Sequence, residues 1–304
     1  MNTLPLLIRR EFWEHRNAFV VVPSIVTGFL VLMMLAIFAA SSSDWVNLSI
    51  DIDEDDHDAF IVTDDVVAYF LSELDDMSER RRVSYINQGL QTLGVPLTFI
   101  LWFVVFFYLL ACLYDDRRDR SILFWKSLPV SDAVTVTAKL VTALIVVPLV
   151  YLAGIAVLQL SALVFMTFGA WGADLSAWEL LWGPTELFGN WFQFTAVFLF
   201  YVFWALPFFA WLTVVSAFAR SVPLAWAIGI PFGISIAERI FTSQSAVADW
   251  MANHTIPVRF MGEHGASLGE MQAQMFSLDM LSAIVVGMAL VACAIWLRGR
   301  ADEI

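Results

Sequence analysis

The sequence predicts an all-α polytopic membrane protein of six transmembrane helices, with both termini cytoplasmic and a short interfacial helix ahead of the first span. Three observations carry that expectation. Of 304 residues, 60% are apolar and 15% charged, with 13 Trp, whereas a soluble domain is roughly half apolar and a quarter charged. Six apolar runs, at about 18–40, 93–113, 137–168, 192–219, 222–241 and 280–297, reach the roughly 20 helical residues that a hydrocarbon core of about 30 Å demands. The runs are continuous rather than alternating, which excludes strands of a barrel and leaves helices to satisfy the backbone in lipid. The chain reads as one transmembrane domain over 1–304.

Residues 1–17 contain "TLPLLIRREFWEHRN", in which Leu4, Ile8, Phe12 and Phe19 share an arc with Glu11 and His15. That is moderate amphipathicity, suited to a helix in the membrane interface. "RREFW" superficially looks like a twin-arginine export signal. The apolar run behind it is too long and begins too late, so it reads as a retained span.

The loop at 41–92 is acidic. "DIDEDDHDAF" offers Asp51, Asp53 and Asp55 as the first ligands of a calcium loop, but Asp56 replaces the turn glycine and Val62 the bidentate Glu, so it reads as a solvated acidic stretch. From Asp64 to Met77 a helical period puts Val67, Phe70, Leu71 and Leu74 on one face. Beyond the third run, Trp171, Trp178, Trp182 and Trp191 suit an aromatic belt at the headgroup level. "FARSVPLAW" leaves only a tight turn between the fourth and fifth runs, with Pro223 opening the next helix. Gly229, Pro231 and Gly233 invite a kink in the fifth. The semi-apolar segment 242–279 reads as interfacial or re-entrant pieces.

Orientation follows from charge. With the amino terminus inside, segments 1–17, 114–136, 220–221 and 298–304, counted with Lys139, hold 11 of the 16 Lys and Arg residues but 8 of the 29 acids. The positive-inside rule favours that arrangement. The exception is Arg80–Arg82, in a long loop that tolerates cations.

The chain has no Gly-rich turn followed by Gly-Lys-Ser/Thr for phosphate, and no His-Glu-x-x-His for zinc. His254 and "GEHG" at 262–265 read as solvated histidines rather than a metal cluster. Neither cysteine, Cys112 or Cys293, has a disulfide or metal spacing. Ionisable or amide groups near the spans are few. Gln159 and Glu238 are candidates for lining a translocation path, and Glu238 and Arg239 otherwise serve as interfacial anchors.

The charged elbow between the second and third runs is "DRRDRSILFWKSLPVSD", Asp116 to Asp132. Arg117, Arg118 and Arg120 alternate with acids, and Ile122, Leu123, Phe124, Trp125 and Leu128 follow as an apolar surface on a short helix. Pro129 ends that helix, and Ser131 and Asp132 can cap the next. The order resembles the cytoplasmic loop of type-2 ABC exporter permeases: an acidic-basic stretch, Gly-Ser or Gly-Thr, then an apolar stretch closing in Ser-Leu-Pro-Val-Ser. Arg120 stands where that family commonly has Gly. A basic amphipathic start, six spans and an interrupted outer segment before the last extend the resemblance along the chain.

The resemblance implies the membrane subunit of an exporter in a prokaryotic plasma (inner) membrane. A second permease, identical or related, and separate cytoplasmic ATPase subunits would complete it. ATP and Mg would bind in those ATPases and not in this chain, which would be no enzyme itself and would take no nucleic acid. Arg117, Arg118, Asp119, Arg120, Ser121, Phe124, Ser127, Leu128 and Pro129 would form the coupling helix in an ATPase groove. Two other expectations compete: a membrane enzyme acting on lipid through His254, Glu263 and His264, and an ATP-driven signalling or assembly subunit that moves no cargo.

Overall fold

The computed structural model describes residues 3–41, 66–120, 130–255 and 274–300, all helices and short connections with no strand among them. The elements, in order, are α1 (Thr3–Glu14), α2 (Val22–Ser41), α3 (Val66–Asp76), α4 (Glu79–Leu93), α5 (Val95–Arg118), α6 (Asp132–Val141), α7 (Val147–Gly172), α8 (Leu187–Trp204), α9 (Leu206–Phe218), α10 (Pro223–Thr242), α11 (Ala246–Asn253) and α12 (Leu278–Arg300). Among the described residues, six helical stretches are long and apolar enough to cross a membrane: Asn17–Ala40, Glu79–Arg118, Asp132–Gly172, Trp178–Trp204, Pro223–Thr242 and Leu278–Arg300.

Three π-turns interrupt these helices, at Asn17–Val21, Thr142–Val146 and Trp178–Trp182. Each ends two residues before a proline, Pro23, Pro148 and Pro184 respectively. A proline ring clashes with the carbonyl four residues back and offers it no N–H. Widening the preceding turn removes the clash and shifts the bonding by one residue, as where Val147 N–H reaches Thr142 O and Gly183 N–H reaches Trp178 O.

The structure differs from the sequence expectation in two places. The end of the acidic loop is the helix α4, which passes through Gly94 into α5 to give 40 residues of nearly continuous helix. At 1.5 Å per residue that is about 60 Å, twice the hydrocarbon core. Its polar sequence, "ERRRVSYINQGLQTL", hid it from a search for apolar runs. The expected single span at 192–219 is instead α8 and α9, broken at Ala205 (φ −93°, ψ 12°) where Pro207 enters the second position of α9. α9 is apolar but only 13 residues long.

The chain divides into two compact units. One comprises Val20–Ile100 and Val150–Trp191. Its core joins Val67, Leu71 and Leu74 of α3 and Ile86 and Leu90 of α4 with Leu163 and Ala170 of α7 and Leu180 and Leu181 of the third π-turn. The helical face expected from Val67, Leu71 and Leu74 is thus the buried one. Gly169 is required here, since a Cβ would lie 2.5 Å from Val67 Cγ1. Arg82 closes the α3–α4 corner by donating from Nη2 to Asp75 O (3.0 Å) and Met77 O (3.2 Å), a capping role for one of the three outlying cations.

The other unit comprises Met1–Phe19, Leu101–Leu149 and Phe192–Ile304. Within it α12 lies against α9, so close that a Cβ on Gly287 would stand 2.5 Å from Leu206 Cγ. α1 and α12 both pack on α6.

Candidate functional site

The second unit buries a set of ions that join four helices at the two roots of the elbow. Its centre is Lys139 on α6, whose ammonium is 3.0 Å from Glu11 Oε1 on α1 and 3.4 Å from Asp116 Oδ1 on α5. The second oxygen of Asp116 takes Arg298 Nη1 of α12 at 3.2 Å, and Arg298 Nε stands 3.2 Å from Asp132 Oδ1 at the start of α6. Tyr108 of α5 donates its hydroxyl to Glu11 Oε2 at 2.9 Å. Lys139, Glu11 and Arg298 are each no more than 3% exposed, Asp116 is buried, and Asp132 is the member open to solvent.

Local sequence explains how each group reaches the cluster. On α1, Glu11 is one turn from Leu7, and both are buried on the same face. Ser131 caps α6 by accepting from Val134 N–H at 3.3 Å, which fixes Asp132 in the first turn, as Pro129, Ser131 and Asp132 in sequence led one to expect. Lys139 follows Asp132 by two turns. Arg298 lies in the last turn of α12, where a cation also suits the helix dipole.

Two cations facing three carboxylates in a dry setting are stable only while the set is complete. The Glu11 carboxyl reflects that balance. Burial alone would raise its pKa, but the Lys139 ammonium, Arg10 and the Tyr108 hydroxyl outweigh burial and hold it below the ordinary value.

A second lock joins the end of α5 to the end of α9. The buried Ser216 hydroxyl accepts from Leu113 N–H (2.9 Å) and Tyr114 N–H (3.0 Å). Arg117 donates from Nη2 to Ser216 O (3.0 Å) and Ala219 O (2.6 Å), capping the carbonyl end of α9. Arg117 is therefore buried, with its guanidinium engaged by the end of α9.

Arg118, Asp119 and Arg120 are exposed. Arg118 pairs with Asp115 (3.4 Å) and Asp119 (3.1 Å). Arg120 takes φ +58°, the left-handed conformation that glycine adopts most easily, just past the end of α5. Ser121, Phe124, Ser127, Leu128 and Pro129 lie outside the described residues.

The two path candidates are engaged in local structure. Gln159 is 3% exposed, donates to Leu90 O at 2.9 Å and accepts from Trp191 Nε1 at 2.7 Å. Glu238 is half-buried and accepts from Val247 N–H (2.9 Å) and Ala248 N–H (3.2 Å), closing the first turn of α11. The Trp group also divides. Trp171 and Trp178 are exposed, whereas Trp182 donates to Thr167 and Trp191 to Gln159.

His254 corrects the expectation of a solvated histidine. It is 2% exposed, 4.4 Å from the Trp250 ring and 4.8 Å from the Trp204 ring, with Nδ1 2.8 Å from Trp250 O. Glu263 and His264 lie outside the described residues. Among the described residues no three His, Cys, Asp or Glu side chains are grouped as a metal site would need.

The ion network escaped sequence reasoning because its members are 128 and 182 residues apart. The available signals were Glu11 on an arc with Leu4, Ile8, Phe12 and Phe19, and Lys139 within a run of apolar residues. Comparison with protein-family models, curated proteins and solved structures finds no match for this chain.

Proposed function

We propose that this chain is the membrane-spanning permease subunit of an ATP-driven exporter of the type-2 ABC class, moved by a separate cytoplasmic ATPase that binds ATP and Mg. The observation that carries the reading is mechanical. Asp116 on one root of the elbow and Asp132 on the other share Arg298, and Asp116 shares Lys139 with Glu11. A push on the elbow would therefore reach α1, α5, α6 and α12 together, through buried ion pairs that do not slide independently. A merely interfacial loop has no use for such a fixture at both ends.

Two further observations support the resemblance from which the reading starts. Arg120, at the family's glycine position, has the backbone conformation of a glycine. Ser131 caps the helix after the Ser-Leu-Pro-Val-Ser run. A prokaryotic plasma membrane, cytoplasmic termini and a second permease chain belong to the same proposal. Few ionisable groups in the spans favour a lipid-like, amphipathic or peptide cargo over an ion. The lipid-enzyme reading loses one of its three side chains, because His254 is packed between indoles.

The test is co-purification of the full chain with a soluble ATPase encoded beside it. Phe124→Asp or Leu128→Asp is expected to abolish the complex while leaving membrane insertion unchanged. Recovery of an unchanged complex, or labelling of an elbow cysteine from the outer side, would overturn the proposal. Stimulation of the ATPase by a candidate cargo in liposomes separates an exporter from a signalling subunit.

A further inference from the structure

We propose that the outward face of α1 is a docking surface for the headgroups of anionic phospholipids. At 100° per residue, Leu6, Arg9, Trp13 and Arg16 fall within about 80° of one another, on the side of the helix opposite Leu7 and Glu11. All four are exposed, Leu6 to 56% and Trp13 to 57%. Among the described residues Arg10 pairs with Glu14 at 3.0 Å, while neither Arg9 nor Arg16 takes part in an ion pair. The face thus presents two uncommitted guanidinium groups with an indole between them and a leucine one turn before.

A soluble acidic partner would match the charges but not the position. Arg16, just past the end of α1, is followed at once by the apolar stretch Asn17–Ala40, so the Trp13–Arg16 end of this face stands at the level where hydrocarbon gives way to headgroups. There an indole places its ring among acyl carbons and its N–H in the polar layer, and a guanidinium binds phosphate through paired hydrogen bonds. A zwitterionic lipid presents the same phosphate with a compensating cation beside it. A lipid of net negative charge does not, so two free arginines discriminate between them. Because the opposite face of the same helix contributes Glu11 to the ion network, the bound headgroups would also seat that carboxylate. The proposal requires no ATPase and stands apart from the exporter reading.

The test uses the purified full chain in detergent micelles, titrated with brominated phosphatidylglycerol or brominated phosphatidylcholine. Quenching at Trp13 is read as the difference between the unmodified chain and Trp13→Phe. Phosphatidylglycerol is expected to quench at the lower mole fraction. Arg9→Gln combined with Arg16→Gln is expected to raise its half-quenching mole fraction by about 25-fold, about fivefold for each arginine, and Arg9→Lys with Arg16→Lys to keep most of the preference. Should the glutamine variant fail to fold, the salt dependence of the unmodified chain decides. The preference should shrink as ionic strength rises toward about 1 M. Equal quenching by both lipids, a preference insensitive to salt or retained in the glutamine variant, or competition by inorganic phosphate at constant ionic strength would overturn the proposal.

Discussion

The two units solve the problem of buried polarity in different ways. Around the roots of the elbow the buried polar groups are mostly ions: Glu11, Asp116, Arg117, Lys139 and Arg298. In the unit built on α3, α4 and α7 they are neutral. The buried Asn190 donates from Nδ2 to the half-buried Asn87 Oδ1 (2.8 Å) and accepts from the exposed Gln91 Nε2 (3.2 Å), and the buried Gln159 bridges Leu90 O and Trp191. A neutral hydrogen bond contributes about 1 kcal/mol and fails singly, whereas a buried ion with its partner removed costs about 3–5 kcal/mol. The difference separates a region whose helices are tied together through shared ions from one whose helices are held by contacts that can be lost one at a time.

The largest break in that contrast is Lys139→Met, which leaves Glu11 facing no ammonium and Asp116 with Arg298 alone. It is expected to destabilise the chain by about 3–5 kcal/mol. Adding Glu11→Gln should recover a large part of that loss rather than increase it, because the uncompensated charge is then gone. The check is a double-mutant cycle on thermal unfolding in detergent; additive losses would show that the ions act independently. Gln159→Leu in the other unit should cost only about 1–2 kcal/mol, since Leu90 O and Trp191 Nε1 are neutral and membrane-embedded hydrogen bonds are individually modest. A Gln159 effect as large as that of Lys139 would remove the distinction between the two units.

This contrast also separates what the sequence made legible from what it did not. Apolar runs are local signals, and the helices long and apolar enough to cross a membrane were readable, the fourth only in part, because lipid imposes length and composition on each one separately. α4 was not readable, since its stability comes from packing Ile86 and Leu90 on α3 and α7 rather than from its polar sequence. The break at Ala205 had a visible cause in Pro207, but the surrounding apolar residues concealed its effect. The ion network links the first helix to the last through Lys139 and Asp116, residues far apart in sequence, and no local pattern carries such a chain of pairs. His254 was misread for the same reason: its burial comes from Trp204, 50 residues earlier in the chain. The burial of Arg117 beneath α9 was not legible either, because the carbonyls it caps belong to Ser216 and Ala219.

The network predicts a smaller effect with pH. Glu11 has a folded-state pKa below its ordinary value of 4.5, so its contribution to stability is present above that value and is lost as pH falls through the folded one. Thermal stability should therefore decline below about pH 4.5, and Glu11→Gln should flatten that decline while lowering stability near neutrality. A decline of equal slope in the Glu11→Gln variant would assign the acid sensitivity to other carboxylates.

The smallest expected effect bears on the elbow itself. Arg120 holds φ +58° without being a glycine, and a left-handed residue with a Cβ costs about 1 kcal/mol relative to glycine. The gain from Arg120→Gly is partly offset by the greater freedom of glycine in the unfolded chain, so the net change should be a stabilisation below about 1 kcal/mol. An increase of a degree or two in melting temperature, with elbow function intact, is the expected result. A loss instead would mean that the contacts of the Arg120 side chain outweigh its backbone strain.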